Sequence, residues 1–364
     1  MKKIVYLLIA VALFLMLGLT SYAEDAITVT DETYFDAVLE AIPEEVKPYI
    51  EEQYTSKNLS VRSVMSVAEH LLKGEVLKFI NILSKLVVLI LFSAILRKAC
   101  EALTKGKNIC ELVSFLSITV FLISEIRSLV DYTSEYCNTI KAFMSVVTLS
   151  MGGVIAIGGD VISASSMTLS VTTISLVLET LCLSLLVPVI NLCIISMISS
   201  FTDKNALRVV GKLSRNFFQW FIGIVSFVSV TVFTYQSMIA QAEDSISASA
   251  LRYAINGSVP FVGGAVGESL RTLTTSVHML RSSIGALGIM TVITYSLLPL
   301  FSILTLKIAL SITEEITDVL SLSKEKELLC ESRKLLNMMI AVVAIVTVLH
   351  IFILSVFALI PLAL

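Results

Sequence analysis

Residues 79–98 read FINILSKLVVLILFSAILRK, and this stretch decides what kind of fold the chain can have. Its first eighteen positions carry a single charge, Lys85. A helix of about 20 apolar residues is what crossing a bilayer requires. Arg97 and Lys98 then close the run, as basic residues do at the cytoplasmic end of a membrane span.

Runs of the same character recur at 112–130, 169–201, 217–240, 284–310 and 336–360, with Pro188 in the second of these and Pro299 in the fourth. Basic residues cluster between them: Arg97, Lys98, Lys105 and Lys107; then Lys204, Arg208, Lys212 and Arg215; then Lys324, Lys326, Arg333 and Lys334. These three loops are expected to face the cytoplasm. Six crossings satisfy that condition, and eight do so if Pro188 splits 169–201 and 142–159 also crosses. The repeat described below favours six. Composition agrees, since 56% of residues are apolar and 15% charged, where soluble domains average about 25% charged. Mean hydropathy is +0.91. The fold class is all-α, a polytopic helical membrane protein.

The N-terminus begins with Lys2 and Lys3, continues apolar from Ile4 to Leu19, and reaches a small-x-small site at Ser21-Tyr22-Ala23. This pattern predicts a signal peptide over residues 1–23. The alternative, an uncleaved first membrane helix, also places Glu24 outside the cytoplasm. From 24 to 57 the chain carries ten Asp and Glu against Lys47 and Lys57, with Pro43 and Pro48 as interruptions. It is expected to form an exported acidic head. Asn58 can cap a following helix whose apolar positions Val61, Val64, Met65, Ala68, Leu71 and Leu72 share one face. The expected domains are a head with its amphipathic helix at 24–78 and a multi-pass membrane domain at 79–364.

Within that domain GGVIAIGGDV at 152–161 returns as GSVPFVGGAV at 257–266, with five of ten positions identical. Each copy lies between a spanning run and a proline-bearing apolar run that ends in a basic loop. The flanks define two parallel repeats at about 111–216 and 217–335, followed by a last helix at 336–360. Parallel repeats are one way of building transport folds. The second copy holds Arg252, Asn256, Pro260 and several glycines in or beside it, too many for a plain lipid-facing span. Gly152, Gly158, Gly159, Arg252, Pro260, Gly263, Gly264 and Gly267 are therefore candidate pore-lining or packing residues of re-entrant or amphipathic segments. Irregular backbone at membrane depth needs protein or a water-filled cavity beside it. Tight helix packing through Gly263-x-x-x-Gly267 is the other reading. Behind the second copy, Val266, Leu270, Leu273, Val277, Leu280, Ile284 and Leu287 form an apolar seam, with Glu268, Arg271, Thr275, His278 and Ser282 on another face.

Few residues here are equipped for chemistry. Lys85 and Glu179 lie inside spanning runs, where charge is costly and usually paired. They form a candidate intramembrane pair, either structural or serving an ion pathway. His350, inside the last run, reads as a hydrogen-bonded packing residue. The six cysteines are scattered, and neither a zinc site nor a disulfide framework follows from their spacing. No phosphate-binding loop and no common hydrolase or metalloprotease motif is present. No cofactor is implied, and a net charge of −3 gives no basis for nucleic acid as a partner.

Three segments carry a resemblance: NALRVVGKL at 205–213, LRYAINGSVPFVGG at 251–264, and Leu298-Pro299-Leu300 with Lys307. They resemble the stage III sporulation protein AE family, with Arg252, Val259-Pro260 and Val262-Gly263 as the most specific part. The resemblance implies a multi-pass protein of the mother-cell membrane around the engulfed forespore. There it would work with the other stage III sporulation AA to AH proteins, including a separate ATPase, in a channel-like or secretion-like complex. It brings over no substrate and no functional residue beyond the matched motif. A non-enzymatic membrane subunit is the first expectation. A secondary transporter, with a site near Lys85 and Glu179, is the alternative.

Overall fold

The computed structural model describes the backbone of residues 32–50, 61–101, 107–158, 161–199, 205–258 and 263–359, and the side chains of Glu179 and of 239–274 are among those outside the description. Within it 96% of residues are helical and none lies in a strand. The element order is α1 (Glu32–Glu40), α2 (Val61–Glu101), α3 (Lys107–Ile157), α4 (Val161–Ser199), α5 (Asn205–Ser258), α6 (Gly263–Val319) and α7 (Ser323–Leu359).

Each of the six spanning runs falls on its own helix, α2 to α7. Five of those helices carry stretches long and apolar enough to cross a membrane: Val67–Ala99, Ile109–Ile157, Val209–Met238, Thr275–Val319 and Ser323–Ala358. The helix α4 carries two shorter apolar stretches, Ala164–Val177 and Ser184–Ile198. The chain is a multi-pass helical membrane protein.

The helices run far past their spans, which differs from the segmented picture that polarity gave. The helices α3, α5 and α6 have 51, 54 and 57 residues. At about 1.5 Å per residue they extend roughly 75–85 Å, against a hydrocarbon core of about 30 Å. The amphipathic segment and the first span are one helix, α2, and 112–130 and 142–157 are both parts of α3. Between Glu111 and Met151 α3 contains neither Gly nor Pro. Its Glu125, Arg127, Asp131, Glu135 and Lys141 end the apolar character without ending the helix, because Glu, Arg and Lys are good helix formers. Pro188 and Pro299 also lie inside helices, at the loss of one backbone hydrogen bond each.

The core is built on α6 and α7. In each, 61% of the apolar window is buried, against 17% in α2 and 22% in α5. The helix α7 packs on α3, α4, α5 and α6, while α2 packs on α3 and α6 from outside. The expected seam on α6 is buried over its described part, with Val277, Leu280, Ile284 and Leu287 all inside and Thr275 and His278 exposed. Leu77, Ile80, Val88 and Ile95 on α2 and Phe217, Trp220, Phe227 and Tyr235 on α5 stand exposed. In water such a belt would be an aggregation hazard. Facing lipid, it needs no protein cover.

The head is less polar in its packing than in its composition. Val38, Ile42, Val46 and Ile50 recur every fourth residue and are all buried. Backbone hydrogen bonds from Val46 and Lys47 to Pro43, 3.0 Å each, carry the turn past the proline. The helix α1 packs on α3 and α6, and Tyr49 meets His70 of α2 with ring centroids 5.6 Å apart. Among the described acids of the head, Asp36, Glu40, Glu44 and Glu45 all point outward.

Candidate functional site

At the end of the bundle opposite the head, the three basic stretches come together. Arg215 of α5 and Glu331 of α7 form an ion pair at 2.7 Å, with 9% and 7% of their side chains exposed. Lys334, one turn further along α7, donates to the other oxygen of Glu331 at 2.6 Å. Arg333 turns the opposite way, pairing with Glu314 of α6 at 3.2 Å and donating to Ser311 Oγ at 3.3 Å. On the far side of α7, Arg97 of α2 and Lys324 each stand 3.5 Å from one oxygen of Glu111 on α3. Ser93 of α2 donates to Glu325 at 2.9 Å. The helix α4 joins through Met197, which accepts from Ser332 at 3.9 Å. Residues from α2 through α7 thus meet in one charged layer.

Charges removed from water are stable only when compensated, and here each carboxylate meets a cation or a hydroxyl. The layer is a clamp and a charged outer face. Lys98 and Lys212 add exposed cations to it.

The glycines singled out in the sequence sit at helix junctions. Gly152 is buried in the last turns of α3, where a Cβ would run into the Thr168 side chain of α4. Gly153 faces the head, and its Cβ would lie 2.7 Å from the Tyr34 ring. Gly158 is buried in the turn after α3, and Gly159 lies outside the described residues. In the second copy Gly263, Gly264 and Gly267 open α6 and Arg252 lies in α5, all four with side-chain surroundings outside the description. Pro260 lies outside the described residues altogether. Both Gly-rich stretches therefore fall where one long helix gives way to the next. Lys85 is exposed on α2. Glu179 belongs to α4, which packs on α3, α5 and α7, and its side chain is not described. His350 is fully buried, its Nδ1 2.7 Å from the Val346 carbonyl and its Nε2 3.5 Å from Ser175 Oγ, in keeping with a packing role.

Several contacts had no counterpart in the sequence reading. Glu75 of α2 pairs with Lys78 at 2.5 Å and accepts from Ser302 and Thr305 of α6 at 3.2 and 3.3 Å. Its spacing of three from Lys78 on one helix face was the available signal. Tyr136 stacks on Tyr295 and shares a 2.7 Å hydrogen bond with Thr347, joining α3, α6 and α7. Glu111, Glu314, Glu325 and Glu331 were hidden among basic neighbours. Cys110, which cysteine spacing gave no reason to pair, is disulfide-bonded, whereas Cys137, Cys193 and Cys330 are in no disulfide.

Comparison with known families matches residues 45–360 to stage III sporulation protein AE. Stage III sporulation protein AE of Bacillus subtilis (strain 168) is 19% identical over 235 residues, which is 64% of this chain and 59% of that protein. The alignment thus spans less than two thirds of that relative's length. No solved structure matches. Five helices long and apolar enough to cross a membrane, basic helix ends gathered at one end and a family match over most of its length lead to one conclusion: the chain belongs to the stage III sporulation protein AE family and is a multi-pass membrane protein of sporulation.

Proposed function

We propose that the protein is a non-enzymatic membrane subunit of a channel-like or secretion-like complex between mother cell and forespore. In this reading it sits in the mother-cell membrane surrounding the forespore, head outside the cytoplasm. Its partners are other stage III sporulation AA to AH proteins, among them a separate ATPase. The observation that carries the reading is the charged layer. Basic helix ends distant in sequence, at Arg97, Arg215 and Lys324 to Lys334, are clamped into one face opposite the head, which would offer a cytoplasmic partner a single surface. The sequence has no phosphate-binding loop, which suits a subunit energised by a separate ATPase. Affinity purification of the full chain from sporulating cells should recover the ATPase and other stage III sporulation AA to AH proteins. Charge reversal at Lys98 and Lys212 together should lose the ATPase first. Purification alone, with solute movement in liposomes, would instead establish the transporter alternative.

The orientation has its own test. Single cysteines at Lys105, Lys212 and Lys326 of a Cys-less variant should be shielded from an impermeant thiol reagent in intact cells. Ready labelling at any of the three overturns that part of the topology. The two Gly-rich junctions are read as equivalent packing or pore-lining elements of two parallel repeats. Gly159→Leu and Gly264→Leu should each abolish spore formation, with Ala milder, because a side chain there forces helices apart. Normal spore yield from Gly264→Leu at normal membrane abundance would reduce that junction to a connecting loop.

A further inference from the structure

We propose that Cys110 forms its disulfide with Cys100, and that the bond is a reversible thiol–disulfide site tying the end of α2 to the start of α3. The chain has six cysteines. Cys110 is disulfide-bonded, and Cys137, Cys193 and Cys330 are in no disulfide. Cys100 of α2 and Cys182 of α4 remain, both with side chains outside the description. The helices that carry them decide between the two. A disulfide needs Cα atoms within about 7 Å of each other. Gly152 of α3 meets Thr168 of α4. From that contact Cys110 lies roughly 63 Å along α3, and Cys182 roughly 21 Å along α4, at about 1.5 Å per residue. Even on antiparallel helices they stay roughly 40 Å apart. The contacts of α4 with α7 agree. Met197 at Ser332 and Ser175 at His350 put Cys182 near the middle of α7, while Cys110 adjoins Glu111, which Lys324 meets at the start of that helix.

Cys100 stands where a partner must. Arg97, three residues before it and neighbouring it on the helix surface, pairs at 3.5 Å with Glu111, the residue after Cys110. Cys110 is half-buried, within reach of a small reagent. In the cytoplasm such pairs are held reduced, and a bond that forms there is transient. Reversibility therefore rests on the orientation proposed above, with Arg97 on the cytoplasmic side. The oxidant is a low-molecular-weight disulfide. One protein thiolate attacks it and expels a small thiol, and the second attacks the protein sulfur of the mixed disulfide and expels the other. Two protein thiols give up two electrons and two protons, and one small disulfide becomes two small thiols. Closure fastens α2, which packs on α3 and α6 from outside, at its basic end. The first basic stretch, with Lys105 and Lys107 between the two cysteines, is thereby held or released by the thiol balance of the cell.

The test traps thiols with acid and N-ethylmaleimide in sporulating cells, and separately in inverted membrane vesicles exposed to glutathione disulfide, then maps the full chain by mass spectrometry without reduction. Cells should give Cys100 and Cys110 alkylated. Vesicles should give one peptide joining them, which dithiothreitol releases. In detergent, glutathione disulfide should raise the thermal midpoint of the reduced protein by about 2 °C or more, and that of Cys182→Ser equally, but not that of Cys100→Ser or Cys110→Ser. Cys110 joined to Cys182, no joined peptide in the vesicles, or a midpoint shift that survives in Cys100→Ser would overturn the assignment. A bond already complete in untreated cells would overturn reversibility, and the cysteine placed at Lys105 then separates the causes. Shielded from the impermeant reagent, it leaves the orientation standing and removes the switch alone; labelled, it removes the orientation as well.

Discussion

Glu331→Gln is expected to destabilise the protein by about 3–5 kcal/mol, the usual cost of removing one member of a buried ion pair. The size follows from what remains. Arg215 is 91% shielded in its side chain and would be left without its carboxylate, 2.7 Å away in the native pair. Lys334, at 49% exposure, can turn to water and recovers part of its loss. Arg215→Met with Glu331→Leu removes both charges together and should cost much less than the two single changes added. A double-mutant cycle on the thermal midpoint in detergent measures the difference, with membrane abundance as a second readout. Strictly additive losses would show that α5 and α7 are not held by this pair.

Gly285→Leu should prevent the bundle from assembling. The glycine lies on α6 where α7 crosses it, and a Cβ there would sit 2.9 Å from the Ala358 Cβ, with Met151 at 3.6 Å and the Leu354 carbonyl at 3.8 Å. Alanine carries its methyl directly on the backbone, so relief requires the two most buried helices to move apart. Gly285→Ala alone should therefore cost about 1–3 kcal/mol. Gly223 of α5 has nothing within 4 Å of the same position, and Gly223→Ala should be neutral or raise stability by up to about 1 kcal/mol through helix propensity. Opposite signs for one chemical change at two glycines give the experiment its power. Wild-type thermal stability in Gly285→Leu would mean that α6 and α7 lie farther apart than described.

The membrane helices were legible because lipid imposes a length and a composition on anything that crosses it, and 79–98 meets both. The shared side of the three basic stretches was legible for a similar reason, since charge distribution orients spans without reference to folded contacts. The helix ends were not. Polarity marks where a span stops, whereas only caps, glycine or proline mark where a helix stops, and α3 passes Glu125 to Lys141 without meeting any of them. Pairing inside the charged layer was hidden by distance along the chain. Arg215 and Glu331 belong to different loops, and nothing local to either announces the other. The buried stripe of the head, Val38, Ile42, Val46 and Ile50, was obscured by the acids between its members.

The central place of α7 has a consequence for biosynthesis. This helix follows all the others in the chain, yet α3, α4, α5 and α6 each present a face to it. Helices can enter a membrane one by one before they associate. While 323–359 is still being translated, those faces lack their partner, and Arg215 has no Glu331. Insertion of the earlier helices can therefore precede the closing of the core. A chain stopped ahead of α7 would be threaded through the membrane and still be a substrate for quality-control proteolysis, with its final helix acting as the keystone set last.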